Sequence, residues 1–335
     1  MAQLHAGYLG LMTDKKISII IPVKPGGTIK ALAQLSEIDY PAELFEILIA
    51  QGRRPSRQRN RAAAEAGGDI LYFLDDDSIT SPQFLKRVVT YYEDSAVAAV
   101  GGPSLTPADD TPQQKAVGLA FASFFGGGGV RNRYRQIGTA RATGDNELIL
   151  CNLSFRKESY LAFGGLDERL YPNEENELMD RLKKEGFRLI HDPDLAVYRS
   201  QRPSFSAFLR QMFSYGRGRA EQTLITGEIK FINLIPSLFL LYLLILPVFI
   251  SSVYVIPFLC YALAVCSCAL LEALKAGRGS LLPRLLLIFP ALHLAYGAGV
   301  LMGAISPRFK KTGPEMETVT ITRVKEFGPA LAKTE

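Results

Sequence analysis

From residue 231 to residue 271 the chain has no Asp, Glu, Lys or Arg, and a second uncharged run follows at 285–307. As helix, at about 1.5 Å per residue, the first run would extend about 60 Å, two passages of a ~30 Å hydrocarbon layer, and the second would make one. Pro247, Ser251 and Ser252 lie where a hairpin turn would divide the first run. A membrane region of about three apolar helices is therefore expected over 231–307. Lys275, Arg278 and Arg284 fall between the second and third helices. Basic residues in short loops stay inside, so the loop and the whole front half are expected in the cytoplasm, in a multi-pass protein of the inner or plasma membrane. Three crossings would leave Arg308, Lys310 and Lys311 outside, against the same rule. Either the rule is locally broken or one run is re-entrant or interfacial.

The remaining composition removes several classes. A length of 335 residues allows two or three modules. Lys+Arg of 38 against Asp+Glu of 33 is too balanced for a protein that coats nucleic acid, so no nucleic-acid partner is expected. With 48% hydrophobic and 21% charged residues the chain is not largely disordered. Four cysteines are too few for a disulfide scaffold: Cys260, Cys266 and Cys268 lie in the apolar runs and read as packing residues, and Cys151 lacks metal or disulfide spacing. Residues 1–15 read as an extension, with a natural start near Met12 and no leader features.

The front half alternates strands and helices. Ile17–Val23, Phe45–Ala50, Ile70–Leu74 and Val97–Val100 are short apolar or β-branched runs, the pattern of strands buried on both faces. Between them, 27–38, 57–66 and the segment after Ser81-Pro82 have helical spacing. This order predicts an α/β domain with a mostly parallel sheet, which binds ligands beyond the carboxyl ends of its strands.

Asp75-Asp76-Asp77 sits at such an end. Adjacent carboxylates repel one another, and a hard divalent cation, Mg²⁺ or Mn²⁺, is the natural partner that also keeps positions for phosphate; a solvated turn with a helix cap is the plain alternative. Arg53, Arg54, Arg57, Arg59 and Arg61 precede the triplet and suit a diphosphate, or else form a basic face toward anionic lipid. Glu174-Glu175-Asn176-Glu177 opens a helix at 178–185, where carboxylates complement the helix dipole or supply a general base. Residues 201–219 repeat Phe205, Phe208, Leu209, Met212 and Phe213 at helical spacing, an amphipathic segment at the bilayer surface. Gly126–Gly129 lacks the setting of a phosphate-binding loop and reads as a mobile loop.

In their order, ISIIIPV, RNRAAAEAGGDILYFLDDD, FGGLDERLYPNEENELMDRLKKEG and RQMFSYGRGR make residues 16–220 resemble glycosyltransferase family 2, and within it the membrane-anchored transferases of the succinoglycan type. The resemblance implies a GT-A fold, Rossmann-like, over 16–200, followed by the interfacial segment 201–230, the apolar region 231–307 and a tail 308–335. It implies that Asp75 and Asp77 bind the donor diphosphate through Mg²⁺ or Mn²⁺, with Asp76 beside them, that Arg59 and Asn60 lie near the nucleotide, and that Glu175 is the catalytic base. It places Gln211, Arg217 and Arg219 near donor or acceptor. Two positions depart from the family. Gln51-Gly52-Arg53 replaces the usual Asp-Asp-Gly-Ser, so Gln51 is left to contact the base and a UDP-sugar is favoured without being required. Glu175 stands for the usual Asp, a change of about an ångström in reach, so Glu174 or Glu177 are alternative bases. The expected activity is inverting transfer of a sugar from a nucleoside diphosphate to a polyprenyl-diphosphate-linked glycan at the lipid bilayer. A processive polysaccharide synthase and a decayed membrane scaffold are the alternatives. Loop 104–150, with Arg131, Arg133 and Arg135, is expected to close over the acceptor.

Overall fold

The computed structural model describes residues 14–248, 252–310 and 318–328. The chain begins as strand β1 (Ile17–Val23), helix α1 (Ala31–Leu35), β2 (Phe45–Gln51), α2 (Pro55–Glu65), β3 (Ile70–Leu74), α3 (Phe84–Tyr91) and β4 (Val97–Gly101). It continues as β5 (Ser104–Leu105), α4 (Pro112–Ala122), α5 (Phe124–Gly127), β6 (Arg141–Thr143), β7 (Asn152–Arg156), α6 (Lys157–Ala162), α7 (Glu174–Lys184), β8 (Arg188–His191) and β9 (Val197–Tyr198). The last part is α8 (Phe205–Thr226), α9 (Ile235–Ile245), α10 (Ser252–Lys275), α11 (Leu282–Ile305) and β10 (Thr320–Lys325).

The sheet runs β10-β2-β1-β3-β7-β4-β8-β6. β2, β1 and β3 are parallel, and β4 is parallel to β8. β10, β7 and β6 pair antiparallel, so the sheet is mixed: β1, β2 and β3 form one parallel block, and β4 lies beyond the antiparallel β7. Helices cover both faces. Ile17, Ile19 and Ile21 of β1 pack with α1 and α3 on one side, while Ile20 joins Leu48, Ala62, Leu178 and Leu182 on the other. That alternation explains why β1 is apolar at nearly every position. Because β1, β2 and β3 share a direction, Val23, Gln51 and Asp75 emerge at one edge.

Several expected elements have different extents. The helix of 27–38 shortens to α1, and the acidic run 174–177 is the first turn of α7 rather than a lead-in to it. Gly126–Gly129 is helical, not a loose loop: it spans the end of α5 and the start of a 3-10 turn over Gly128–Tyr134. A methyl at Gly126 would stand 2.3 Å from the Ala120 carbonyl oxygen, so the glycine is required by packing. Pro247 and Ser252 flank the break between α9 and α10; Ser251, Lys311 and residues 1–13 lie outside the described residues.

α10 and α11 are long and apolar enough to cross a membrane by length and composition, and α9 is shorter. α11 lies beside α8 in the same direction, with Gly299 against Phe213 and Gly303 against Arg217. The tail bears on the question that the basic residues after 307 left open. β10 is the edge strand beside β2, so the chain after α11 is on the same side as the sheet.

Candidate active site

β3 ends at Leu74, and Ser78 turns the chain back: the Asp75 amide donates to Ser78 Oγ (3.2 Å) and Ser78 N donates to Asp75 O (3.1 Å). Ile79 and Tyr198 then exchange backbone hydrogen bonds of 2.9 and 2.8 Å. This bridge brings Arg199 against the triplet. Arg199 Nη2 lies 3.0 Å from Asp75 Oδ2 and its Nε donates to Asp77 Oδ1 at 2.7 Å, so one guanidinium joins the two carboxylates. From the other side Arg59, buried on α2, donates from Nη2 to Asp75 Oδ1 (2.9 Å) and from Nη1 to Glu174 Oε1 (3.4 Å).

Charge follows this geometry. Burial alone would raise Asp75, but Arg199, Arg59 and Arg202 hold it below the ordinary carboxylate value. Burial lowers the Arg199 guanidinium less than Asp75 and Asp77 raise it, so it remains a cation. Asp76 is pushed up by partial burial and by the carboxylates on either side. Glu174 is pushed up by burial and by Glu175, and the 3.4 Å contact with Arg59 does not reverse this. Glu175 lies at the next position, 3.9 Å from Arg133 Nη1. Asn173, which precedes the helix, has φ +87°, a conformation that costs energy and is common where a site fixes its geometry.

Among the described residues, five buried side-chain atoms have no hydrogen-bond partner. Three of them, Arg59 Nε, Glu174 Oε2 and Gln211 Oε1, belong to the expected site residues or their neighbours. Unpaired buried polar atoms are costly, and their concentration here marks a surface prepared for a polar ligand.

The other expected residues divide. Gln51 closes β2 at the edge where Asp75 emerges. Gln211 donates to the Tyr215 hydroxyl (3.0 Å), and Tyr215 lies in the field of Arg199 and Arg202, so this glutamine belongs to the site. Asn60 points elsewhere: its amide donates to Leu166 O (2.8 Å), and its Oδ1 accepts from Leu166 N (2.9 Å) and the Tyr160 hydroxyl (2.7 Å), which pins the turn at Gly165. Arg217 is also turned away, donating to Glu221 Oε1 (3.2 Å) and Ser306 O (2.7 Å). Arg219 bonds Gln222 (2.9 Å) and Tyr296. Glu177 has both oxygens on Arg181, at 2.6 and 2.8 Å, and is a structural carboxylate. In segment 104–150, Arg131 stacks on Phe124 and Arg135 bonds Asn132, while only Arg133 reaches the α7 carboxylates, bonding Asn176 Oδ1 at 2.5 Å.

A divalent cation suits the donor set at Asp75 and Asp77. Both offer hard oxygens, and the Arg199 guanidinium already occupies the position of a bridging cation. No cluster of three or more His, Cys, Asp or Glu among the described residues forms a preformed cage. The protein therefore offers two carboxylates, with the rest of the shell left to phosphate and water.

Residues 25–155, which include β2, β3, Arg59 and the Asp triplet, match the profile described as Glycosyl transferase family 2. This segment is a glycosyl transferase family 2 domain. The chain is 33% identical over 171 residues to the succinoglycan biosynthesis protein ExoA of Rhizobium meliloti (strain 1021), covering 49% of this chain and 48% of that protein. It thus spans about half the length of the curated relative it matches. The fold is also that of the mannosyltransferase PcManGT from Pyrobaculum calidifontis, solved in complex with GDP-Man and Mn²⁺ (TM-score 0.53, 14% identity, 90% of this chain and 92% of that one).

Sequence reasoning missed two residues that the family 2 domain brings to the carboxylates. Arg199 is separated from Asp77 by 122 positions and arrives through the Ile79–Tyr198 bridge, which no local pattern reveals. Arg133 was visible only as one of three alternating arginines.

Proposed function

We propose that the chain is an inverting glycosyltransferase that moves a sugar from a nucleoside-diphosphate sugar to a hydroxyl of a lipid-linked glycan, at the cytoplasmic face of a membrane. The observation that carries this reading is the cluster at the strand ends: Asp75 and Asp77 bridged by Arg199, tied through Arg59 to the acidic first turn of α7. Arg59 and Arg199 supply fixed positive charge for a diphosphate. Gln51 lies at the same edge and offers both a donor and an acceptor to a base, with a UDP-sugar favoured. Asp75 and Asp77 would hold Mg²⁺ or Mn²⁺, which neutralises charge on the leaving diphosphate.

Glu175 accepts the proton of the acceptor hydroxyl. The acceptor oxygen bonds to the anomeric carbon as the bond to the diphosphate oxygen breaks on the opposite face, and the nucleoside diphosphate leaves with the electron pair. Arg199, held between Asp75 and Asp77, would add fixed positive charge beside the diphosphate. Synthesis of exopolysaccharide or another surface glycan agrees with the succinoglycan biosynthesis of the Rhizobium meliloti relative.

The test is transfer. Membranes containing the protein are supplied with labelled nucleoside-diphosphate sugars, a lipid-linked oligosaccharide extract and Mn²⁺. The reading predicts label in the lipid fraction with inverted anomeric configuration, abolished in Glu175→Gln. A product of retained configuration, or full activity in Glu175→Gln, contradicts it.

A further inference from the structure

Two facts about the C-terminal helices conflict with a bundle that spans a bilayer. The first is the path of α11. Its start, Leu281 and Leu285, is buried in one cluster with Ala116 and Val117 of α4. Its middle packs Phe289 on Phe125 (centroids 5.3 Å), and the His293 ring lies 3.0 Å from the Phe125 carbonyl oxygen. Its end is sunk into α8, where a methyl on Gly299 would stand 2.1 Å from the Phe213 carbonyl oxygen. A helix whose start and middle pack on α4 and α5 and whose end is sunk into α8 runs along these helices and does not leave them.

The second is the return of the chain. Arg217 donates to Ser306 O, and the buried Glu221 accepts from the Arg308 amide (2.7 Å) and from its guanidinium (2.8 Å). β10 then pairs with β2, where Arg323 Nε donates to the buried Glu46 (3.1 Å) and Lys325 Nζ is capped by the Phe45 carbonyl (2.8 Å). The C-terminal end of α11 is held to α8 and to the sheet by charged groups, and its start by apolar packing on α4.

α9 and α10 lie on the far side of α11. Val265, Ala269 and Ala273 of α10 are buried with α11 residues, and Tyr261 reaches His293 (2.9 Å). Their outer faces present Leu238, Leu244, Leu259, Leu263, Leu271 and Leu274 to the exterior. Lys275, Arg278 and Arg284 sit exposed at one end. An apolar slab about one helix thick with a basic rim matches one leaflet, whose hydrocarbon is about 15 Å deep, and the anionic headgroups beside it.

We propose that the C-terminal helices form a monotopic platform. α9 and α10 lie within a single leaflet, α11 packs between them and α8, and none of the described helices crosses the bilayer. The inference rests on the membrane part of the proposed function and not on its transfer chemistry.

The experiment uses the full chain with Cys260, Cys266 and Cys268 replaced by Ser and one reporter cysteine at a time: Val248→Cys after α9, Arg278→Cys after α10, and Glu326→Cys after β10. Membrane pellets are first washed with carbonate. Sealed right-side-out and inside-out vesicles are then treated with an impermeant maleimide, with full labelling in detergent as the control for folded, reachable thiols. The platform predicts retention in the pellet, no labelling of any site from outside, and labelling of 278 and 326 from inside. Labelling of 248 or 278 from outside means that α9 or α10 crosses, and overturns it. Loss into the carbonate wash, with or without a dimer in solution, overturns the lipid partner while leaving the transfer reading intact, because transfer is assayed separately. If the serine background is not retained, the wild-type chain in liposomes containing brominated lipids, with Tyr fluorescence read by bromine depth, gives the same decision: quenching confined to one leaflet supports the platform, and quenching from both contradicts it.

Discussion

Two of the arginine–carboxylate clusters among the described residues differ in completeness. Around Glu221, fully buried on α8, both carboxylate oxygens are taken by Arg308 and one also by Arg217, and those arginines continue to the carbonyls of Tyr171 and Ser306. Around Asp75, Arg59 and Arg199 likewise converge on one carboxylate, yet Arg59 Nε and Glu174 Oε2 stay buried without partners, and Asp77 is 37% exposed at the mouth. A saturated cluster fixes geometry. An unsaturated one holds interactions in reserve for a ligand. The same residue types therefore do structural work at one place and prepare binding at the other.

The comparison is broken most sharply through chemistry. Glu175→Gln should lower transfer by about 10²–10⁴-fold while nucleotide binding stays within twofold, since only proton acceptance is lost. Parallel titration and rate measurements check this, and equal losses in both would move Glu175 into the binding cluster. Next, Glu221→Ala leaves two partly exposed guanidinium groups without their buried carboxylate and should cost about 1–3 kcal/mol of stability. Chemical denaturation should show that loss, whereas Asp77→Asn, at the open mouth, should unfold within about 1 kcal/mol of the wild type. Comparable losses would erase the distinction between the clusters.

Arg199→Ala tests whether the guanidinium stands in for a cation. Without it Asp75 and Asp77 repel, so the variant should melt earlier than the wild type in chelator and gain more from added Mn²⁺. The same Mn²⁺ shift in both proteins would count against that role. The last effect is electrostatic. Glu174 is raised from 4.5 to about 8 in the folded state by burial and by Glu175. The folded protein keeps a proton that the unfolded chain releases above the ordinary value, so stability falls as pH rises across that window. Glu174→Gln removes the slope, and its melting temperature relative to wild type should climb with pH through the window. A difference independent of pH would mean that Glu174 is ionised in the folded protein.

The parts of the fold that were legible in the sequence were those with local causes. β1 through β4 declare themselves by apolar, β-branched runs, and the Asp triplet by its position after one of them. Arg59 was picked out, and it lies buried against Asp75 and Glu174. What escaped was long-range. Asn60, adjacent to Arg59, faces the opposite way because one residue along a helix turns the side chain by about 100°, and it serves the Gly165 turn instead. Arg217 and Arg219 look like ligands for phosphate in a Tyr-Gly-Arg-Gly-Arg string, but Gly216 admits α11, Gly218 admits the Pro172 carbonyl, and both arginines bond partners on or after α11. β10 was invisible because a short strand of alternating polar residues, Thr320–Lys325, is defined by the edge it covers and by Glu46, whose buried oxygen needs Arg323.

The central claim, that Asp75 and Asp77 with their arginines form a donor site, is tested most directly by nucleotide binding to the detergent-solubilised full chain. UDP, GDP, CDP and TDP are titrated with and without Mn²⁺ against the wild type and Asp77→Asn. The account predicts that one nucleoside diphosphate binds, that Mn²⁺ strengthens it, and that Asp77→Asn loses the Mn²⁺ dependence. Folded protein that binds none of the four, or binds one equally well in the variant, would contradict it.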